Sequence, residues 1–263
     1  MRLAVVGNLS LDLVDGTPPR PGGPPFYAAR LLAALGVPAL IAVKCAASDR
    51  SRLLPPLEAL GLAVRWQPGA STASYAFSYR GEARVMEVRS LGEPWTAEQT
   101  RVASGADWVH VGALFRGEFP PETLAALAAD GARRLSFDGQ GLVRAARTGP
   151  LLLEPEPELA LLRHVRVLKL SEEEALALVG RLEERALSEL GVPEVIVTLG
   201  SRGCLVASGG RLWEIAAGPL RGVDPTGAGD AFAAAYVVAR SRRHGPRAAA
   251  ERATQAVSKL LLR

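Results

Sequence analysis

Cysteine, long apolar runs, aromatics and lysine are all scarce in this chain, and each scarcity removes a class of protein. Cys45 and Cys204 are the only cysteines in 263 residues, far apart and without a CxxC or a histidine-rich neighbourhood. No disulfide framework or zinc site follows from them, and both thiols are expected to be buried fillers. No apolar run reaches the roughly 18 residues that a bilayer-crossing helix needs. The opening "MRLAVVGNLSLDLV" is an apolar strand broken by glycine, with no small-residue cleavage site, so the expectation is a cytoplasmic protein with no membrane partner. Aromatic residues make up 5% of the chain, and none is interleaved in the densest basic cluster, "ARSRRHG" at 239–245. That cluster reads as a helix C-terminus that complements the helix dipole, ended by Gly245-Pro246. The remaining basic residues are scattered among acidic ones, so the formal charge of +4 does not make nucleic acid an expected partner. Of 31 basic residues only Lys44, Lys169 and Lys259 are lysine.

What remains is rich in core. With 48% hydrophobic residues, the length suits one large α/β domain over 1–263. Short apolar, β-branched runs alternate with helical patterns, the order of a mostly parallel sheet covered by helices. The strands are "RLAVVGN", "ALIAVKC", "LAVRWQP", "ADWVHVGAL", "RLSFDGQ", "VRVLKLS" and "EVIVTLG"; the intervening helices include "PFYAARLLAALG", "RSRLLPPLEAL", "PETLAALAADGA" and one run "EEEALALVGRLEERALSEL". "EPEPEL" at 154–159 is a short loop, and "GCLVASGGRLWEIAA" is a final hairpin. Residues 72–88 instead alternate apolar and polar around a turn at Arg80-Gly81-Glu82, a β-hairpin pattern that suggests a small flap.

In a doubly wound sheet, ligands bind beyond the carboxyl ends of the strands. Asp12, Gly22-Gly23, Lys44, Asp138, Ser171 and Gly200 fall at such ends. Each alone is explained by turn chemistry or capping, and their common placement raises the functional reading. The decisive stretch is "VDPTGAGDAF", directly before the small-residue run "AFAAAYVVAR". At a helix start, the N–H groups of Gly227, Ala228, Gly229 and Asp230 would point outward and receive a phosphate. A carboxylate should repel that anion unless a base is needed there. Asp230 would then take the proton of an attacking hydroxyl in phosphoryl transfer; the alternative is a helix cap.

"VDPTGAGDAF" resembles the C-terminal signature of the PfkB, or ribokinase-like, carbohydrate kinases. The resemblance extends to "VVGNLSLDLV", "GGPPFYAARLLAALG" and "VIVTLGSRGCLV". "VKCAASD", "HVGALFRGEFPPE" and "SFDGQGLVR" resemble the branch that includes myo-inositol kinases. The implied fold is ribokinase-like: a doubly wound, mostly parallel sheet covered by helices, with a reduced lid contributed mainly by about 72–90. The gap from Asp12 to Gly22 is short, which also implies a small lid.

The implied activity is ATP-dependent transfer of the γ-phosphoryl group to a hydroxyl of a sugar or cyclic polyol. Asp230 would be the base and the backbone at 227–230 the anion hole. Asp12, Gly22, Gly23, Tyr27, Gln140 and Arg144 are implied at the acceptor, with Asp138 near the cleft. ATP is implied near Thr198, Gly200, Gly203, Asp224 and Thr226. Mg²⁺ would be held largely through water by Glu174 of "SEEE", where Ser171 replaces the family's asparagine and Tyr27 replaces another. "SEEE" also reads as an N-cap with an acidic first turn, and Arg144 as a surface arginine. A monovalent cation such as K⁺ stays open as a further cofactor, and the exposed hairpin offers a surface for a homodimer. A nucleoside or vitamin kinase, or a nucleotide- or sugar-binding regulator, stays open beside the polyol kinase.

Overall fold

The computed structural model describes residues 2–14, 17–80, 83–129, 134–154, 159–218 and 223–262, with the backbone alone at 78–80 and 83–84. Along the first half run β1 (Leu3–Asn8), β2 (Ser10–Val14), β3 (Arg20–Gly22), α1 (Pro24–Ala34), β4 (Leu40–Ala46), α2 (Arg50–Glu58), β5 (Ala63–Gly69), β6 (Ala73–Arg80) and β7 (Ala83–Ser90). Next come β8 (Trp108–Gly112), α3 (Pro121–Ala128), β9 (Arg134–Asp138), α4 (Gln140–Val143), β10 (Gly149–Pro150), β11 (Val165–Ser171), α5 (Glu172–Val179) and α6 (Glu184–Ser188). The last elements are β12 (Glu194–Thr198), β13 (Gly203–Ser208), β14 (Arg211–Ala216), α7 (Ala228–Ser241) and α8 (Pro246–Leu261).

Nine strands form the main sheet in the order β14-β13-β12-β11-β9-β8-β1-β4-β5. Pairing is parallel from β12 across to β5, and only the β13–β14 hairpin runs antiparallel at one edge. The central strands β1 and β8 are buried at every residue, as expected where helices cover both faces. On one face, Leu31, Leu53, Phe232 and Tyr236 of α1, α2 and α7 pack with Ala249 of α8. On the other, Leu124, Leu127, Ala175 and Leu187 of α3, α5 and α6 close the second layer. This is the doubly wound arrangement that the alternating pattern predicts.

One predicted helix is two. The run from Glu172 breaks at Gly180, whose left-handed φ of 73° lets its N–H return to Leu176 O and end α5. Acidic and leucine-rich residues beyond it keep helical propensity, so α6 restarts four residues later.

A second sheet, ordered β10-β7-β6-β2-β3, stands over the carboxyl ends of the main strands. The predicted hairpin supplies β6 and β7, while its turn residues 81 and 82 lie outside the described residues, as do 155–158 of the "EPEPEL" loop and 130–133 at the end of the helix predicted from 121. The sheet is broader than the hairpin. The β2 strand leaves the main sheet just after β1 and pairs parallel with β6, while β3 and β10 extend the edges. These three strands have 5, 3 and 2 residues, too short for alternation to declare them in sequence. Tyr75, Phe77, Val88, Leu114 and Phe115 form a small core beneath this sheet. Among the described residues, no helix is long and apolar enough to cross a membrane.

Candidate active site

The head of α7 is built around Gly227, which adopts a left-handed φ of 75° and carries no side-chain cap. A Cβ there would lie 2.0 Å from Cγ of Tyr27, so both the backbone conformation and the neighbouring ring require glycine. Ala231 N closes the first helical turn on Gly227 O at 2.9 Å, leaving the Gly229 and Asp230 amides at the open end. Ala228 departs from the expected four-amide cradle, because its N–H donates to Pro225 O at 3.0 Å.

Asp230 is 9% exposed and lines a cleft of about 670 Å³ that runs beneath the second sheet. Gln140 Nε2 donates to its Oδ1 at 3.4 Å. Burial pushes the carboxyl up to about 7, and the negative charge of Asp138 pushes in the same direction, against Lys169 and Arg144. The helix-cap reading of Asp230 does not hold, since it stands three residues inside the helix and no side chain caps that end.

Behind Asp230, β9 and β11 place Asp138 and Lys169 in register. Lys169 Nζ lies 3.2 Å from both Asp138 oxygens, with both residues buried. Burial opposes the lysine's charge, but Asp138, Glu174 and Asp230 together hold its pKa above the ordinary value. A Cβ on Gly229 would come within 3.2 Å of Nζ, which places the ammonium just under the helix head. Gln140 N also donates to Asp138 Oδ1 at 3.3 Å, so one residue touches both carboxylates.

Most of the residues expected at the acceptor come together in one cleft. Asp12, Gly23, Tyr27, Gln140 and Arg144 all line the cleft. Asp12 accepts from Ser10 Oγ at 2.8 Å and from Tyr27 Oη at 3.0 Å. Tyr27 thus supports the aspartate and covers Gly227 while it lines the cleft. Burial, then the nearby Asp12 charge, raises the Tyr27 phenol well above its ordinary value. Gly22 lies outside the lining: a Cβ there would meet the Asp12 carboxylate at 2.3 Å, so its part is to make room for that group. Arg144 is not a surface residue, since its side chain is 17% exposed and its Nη2 meets Glu174 Oε1 at 3.2 Å.

Of the residues expected at the donor, Ser171, Glu174, Thr198, Gly200, Gly203 and Thr226 line the same cleft. Ser171 and Glu174 form a capping box, with Ser171 Oγ accepting from Glu174 N and Glu174 Oε2 accepting from Ser171 N at 2.9 Å. The cap reading of "SEEE" is thus realised, and the same two residues face the cleft. Asp224 lies outside the cleft lining. Its Oδ1 accepts from Thr226 N and Oγ1, and its Oδ2 from Arg20 at 3.0 Å.

Lys44 does not reach the cleft. Its Nζ donates to Pro94 O at 2.7 Å and Gln99 Oε1 at 3.0 Å, sealed under the sheet edge. Sequence reasoning passed over Ser10, Tyr75 and Lys169, all on the cleft wall. Only Lys169 left a signal, as one of three lysines and at a strand end.

Open amides at a helix head, a buried carboxylate beside them and polar side chains opposite meet in one cleft, an arrangement able to serve transfer of a phosphoryl group to an alcohol. The chain belongs to the pfkB family of carbohydrate kinases, whose pattern it matches over residues 10–262. Among solved structures, it is similar to a pyrophosphate-dependent kinase of the ribokinase family complexed with a pyrophosphate analogue and myo-inositol: 24% identity, 99% of this chain and 95% of that one, TM-score 0.86. A ribokinase from Thermotoga maritima matches with 20% identity over 100% and 93%, TM-score 0.72. A fructokinase double mutant from Vibrio cholerae O395, bound to fructose, ADP and potassium ion, matches with 22% identity over 98% and 90%, TM-score 0.74.

Proposed function

We propose that the protein transfers the γ-phosphoryl group of ATP to one hydroxyl of a cyclic polyol or sugar, with myo-inositol the leading acceptor and Asp230 the general base. The observation that carries this reading is the Asp230 carboxyl, buried on the cleft wall beside the open amides of the α7 head and raised by that burial above the ordinary carboxylate range. A carboxylate so placed can take a proton from a hydroxyl as the phosphoryl group leaves its donor. Gly229 and Asp230 amides, with Lys169 and Arg144, face the charge that spreads over the transferring group. Asp12, oriented by Ser10 and Tyr27, lines the cleft as the carboxylate that would meet ligand hydroxyls.

The polyol reading is favoured over a nucleoside by the pocket's chemistry. Ser10, Asp12, Gln140 and Arg144 present polar groups to it, whereas Phe26 turns away, edge-on to Tyr27 at 5.6 Å, and lines a neighbouring groove. ATP is favoured as donor by the apolar Val223, Val257 and Leu261 at the far end of the cleft, surfaces for a base that inorganic pyrophosphate would leave unused. Pyrophosphate is the second reading, carried by the pyrophosphate-dependent kinase whose fold this chain matches at a TM-score of 0.86.

Among the described residues, no three His, Cys, Asp or Glu side chains gather to hold a metal. Glu174 is one carboxylate on the donor wall with both oxygens engaged, which fits Mg²⁺ held through water and completed by donor phosphates. Bound there, the ion would offset the phosphates' charge.

The test is an assay of phosphorylated product by ³¹P NMR, with ATP or pyrophosphate and Mg²⁺, against myo-inositol, ribose, fructose and adenosine, with and without K⁺. Phosphorylation of a polyol or sugar by ATP is expected. Turnover of adenosine alone would overturn the acceptor assignment, and turnover with pyrophosphate alone the donor assignment.

A further inference from the structure

We infer that Tyr75 determines which hydroxyl of the acceptor is phosphorylated, a step that rests on the polyol-kinase reading above. Tyr75 on β6 is the register partner of Asp12 on β2, so both side chains leave the same face of the second sheet, toward the cleft. The residue is 3% exposed, and its Oη has no hydrogen-bond partner among the described residues. Arg144 Nε, on the same cleft wall, is likewise buried without a partner while its Nη2 is held by Glu174. Met86 and Leu114 line the cleft beside them and have nothing to offer a hydroxyl.

A buried phenol that pairs with nothing bears the desolvation of its hydroxyl for no return, and phenylalanine would fill the same space among Phe77, Val88 and Phe115 without that cost. An acceptor oxygen seated between Tyr75 Oη and Arg144 Nε would satisfy both. Arg144 can only donate, whereas the phenol donates or accepts. Burial raises the phenol's pKa against the pull of Arg144, so it stays protonated and able to donate.

Three attachments are what a ring of similar hydroxyls requires. Asp12 can grip a pair of neighbouring hydroxyls and Asp230 takes a reacting one, but more than one such pair on the ring fits these two carboxylates alike. Each choice of pair presents a different hydroxyl to the phosphate. A third contact selects a single choice.

The experiment compares wild type and Tyr75→Phe on myo-inositol and its monodeoxy derivatives, using the donor that the wild type accepts. Loss of one neutral hydrogen bond should raise KM about tenfold with kcat changed by less than about threefold. The variant should yield a mixture of phosphate positions in ³¹P NMR where the wild type yields one. One monodeoxy derivative should lose about tenfold in kcat/KM with the wild type and clearly less with Tyr75→Phe, where only the Arg144 contact is left to lose. A variant with the same product position and the same ranking of derivatives overturns the inference. Should Tyr75→Phe fail to fold, the wild-type series alone decides: equal turnover of every derivative that keeps the reacting hydroxyl and its neighbours overturns it as well. A wild type inactive on every polyol and sugar overturns the acceptor assignment itself, a result obtained before any variant is made.

Discussion

Two buried lysines sit near the carboxyl ends of parallel strands, in surroundings that differ. Lys44, on β4, lies in a closed cluster: its Nζ is taken by Pro94 O and Gln99 Oε1, with Glu93 3.6 Å away. Nearby, Glu118 accepts backbone N–H groups from Asn8 at 3.2 Å and Leu114 at 2.6 Å, although burial still pushes its carboxyl up to about 8. Lys169, on β11, is paired with Asp138 but belongs to a cluster with an open side, where Asp230 has an amide from Gln140 and faces the cleft. Buried charge whose hydrogen bonds all close on the protein holds loops together. Buried charge left partly open to a cleft is available for chemistry.

The strongest way to break that contrast is Asp230→Asn. Turnover should fall by at least about a thousandfold with donor binding retained, read by steady-state kinetics and calorimetric titration. The same change should stabilise the unliganded protein at neutral and higher pH. The carboxyl's pKa is raised on folding, so its contribution is fully present below the ordinary value of 3.8 and is lost as pH rises through about 7. A higher Tm for the variant at pH 8, shrinking toward pH 4 in calorimetric scans, is the expected signature.

Exchanging the two lysines for methionine sharpens the comparison further. Lys169→Met should lower kcat at least about a hundredfold and destabilise the fold by several kcal/mol, because Asp138 is left buried and unpaired. Lys44→Met should cost about 1–3 kcal/mol of stability while kcat stays within about threefold. Equal effects of both on kcat, normalised to folded protein, would erase the distinction.

A smaller effect tests the electrostatics alone. If Asp230 is the base proposed above, the pH profile of kcat/KM should rise through about 7 as its carboxyl loses its proton. Asp138→Asn removes the like charge and should move that rise to lower pH. The least effect is expected from Tyr27→Phe, which takes one donor from Asp12 but keeps the ring over Gly227. A KM increase of about two- to tenfold for the acceptor would be its measure.

Much of the site was legible because it is local. "DPTGAGD" encodes its own turn: glycine where φ must be positive, small residues where amides must be reached, and the acid one turn on. The strand–helix alternation likewise declared the main sheet. Less visible were features that depend on partners distant in sequence. Nothing around "ASYAF" distinguishes Tyr75 from any strand tyrosine until β2 places Asp12 beside it. The break at Gly180 was hidden by helix formers on both sides.

By itself the sequence determined which backbone turns are possible and which side chains can take a proton, since both are properties of single residues and their immediate neighbours. Only the tertiary structure decided which charges were sealed and which stayed open. Two lysines at similar strand positions came to stand in different surroundings because the elements packed around one engage its ammonium with Pro94 O and Gln99 Oε1, while those around the other leave its cluster open to the cleft.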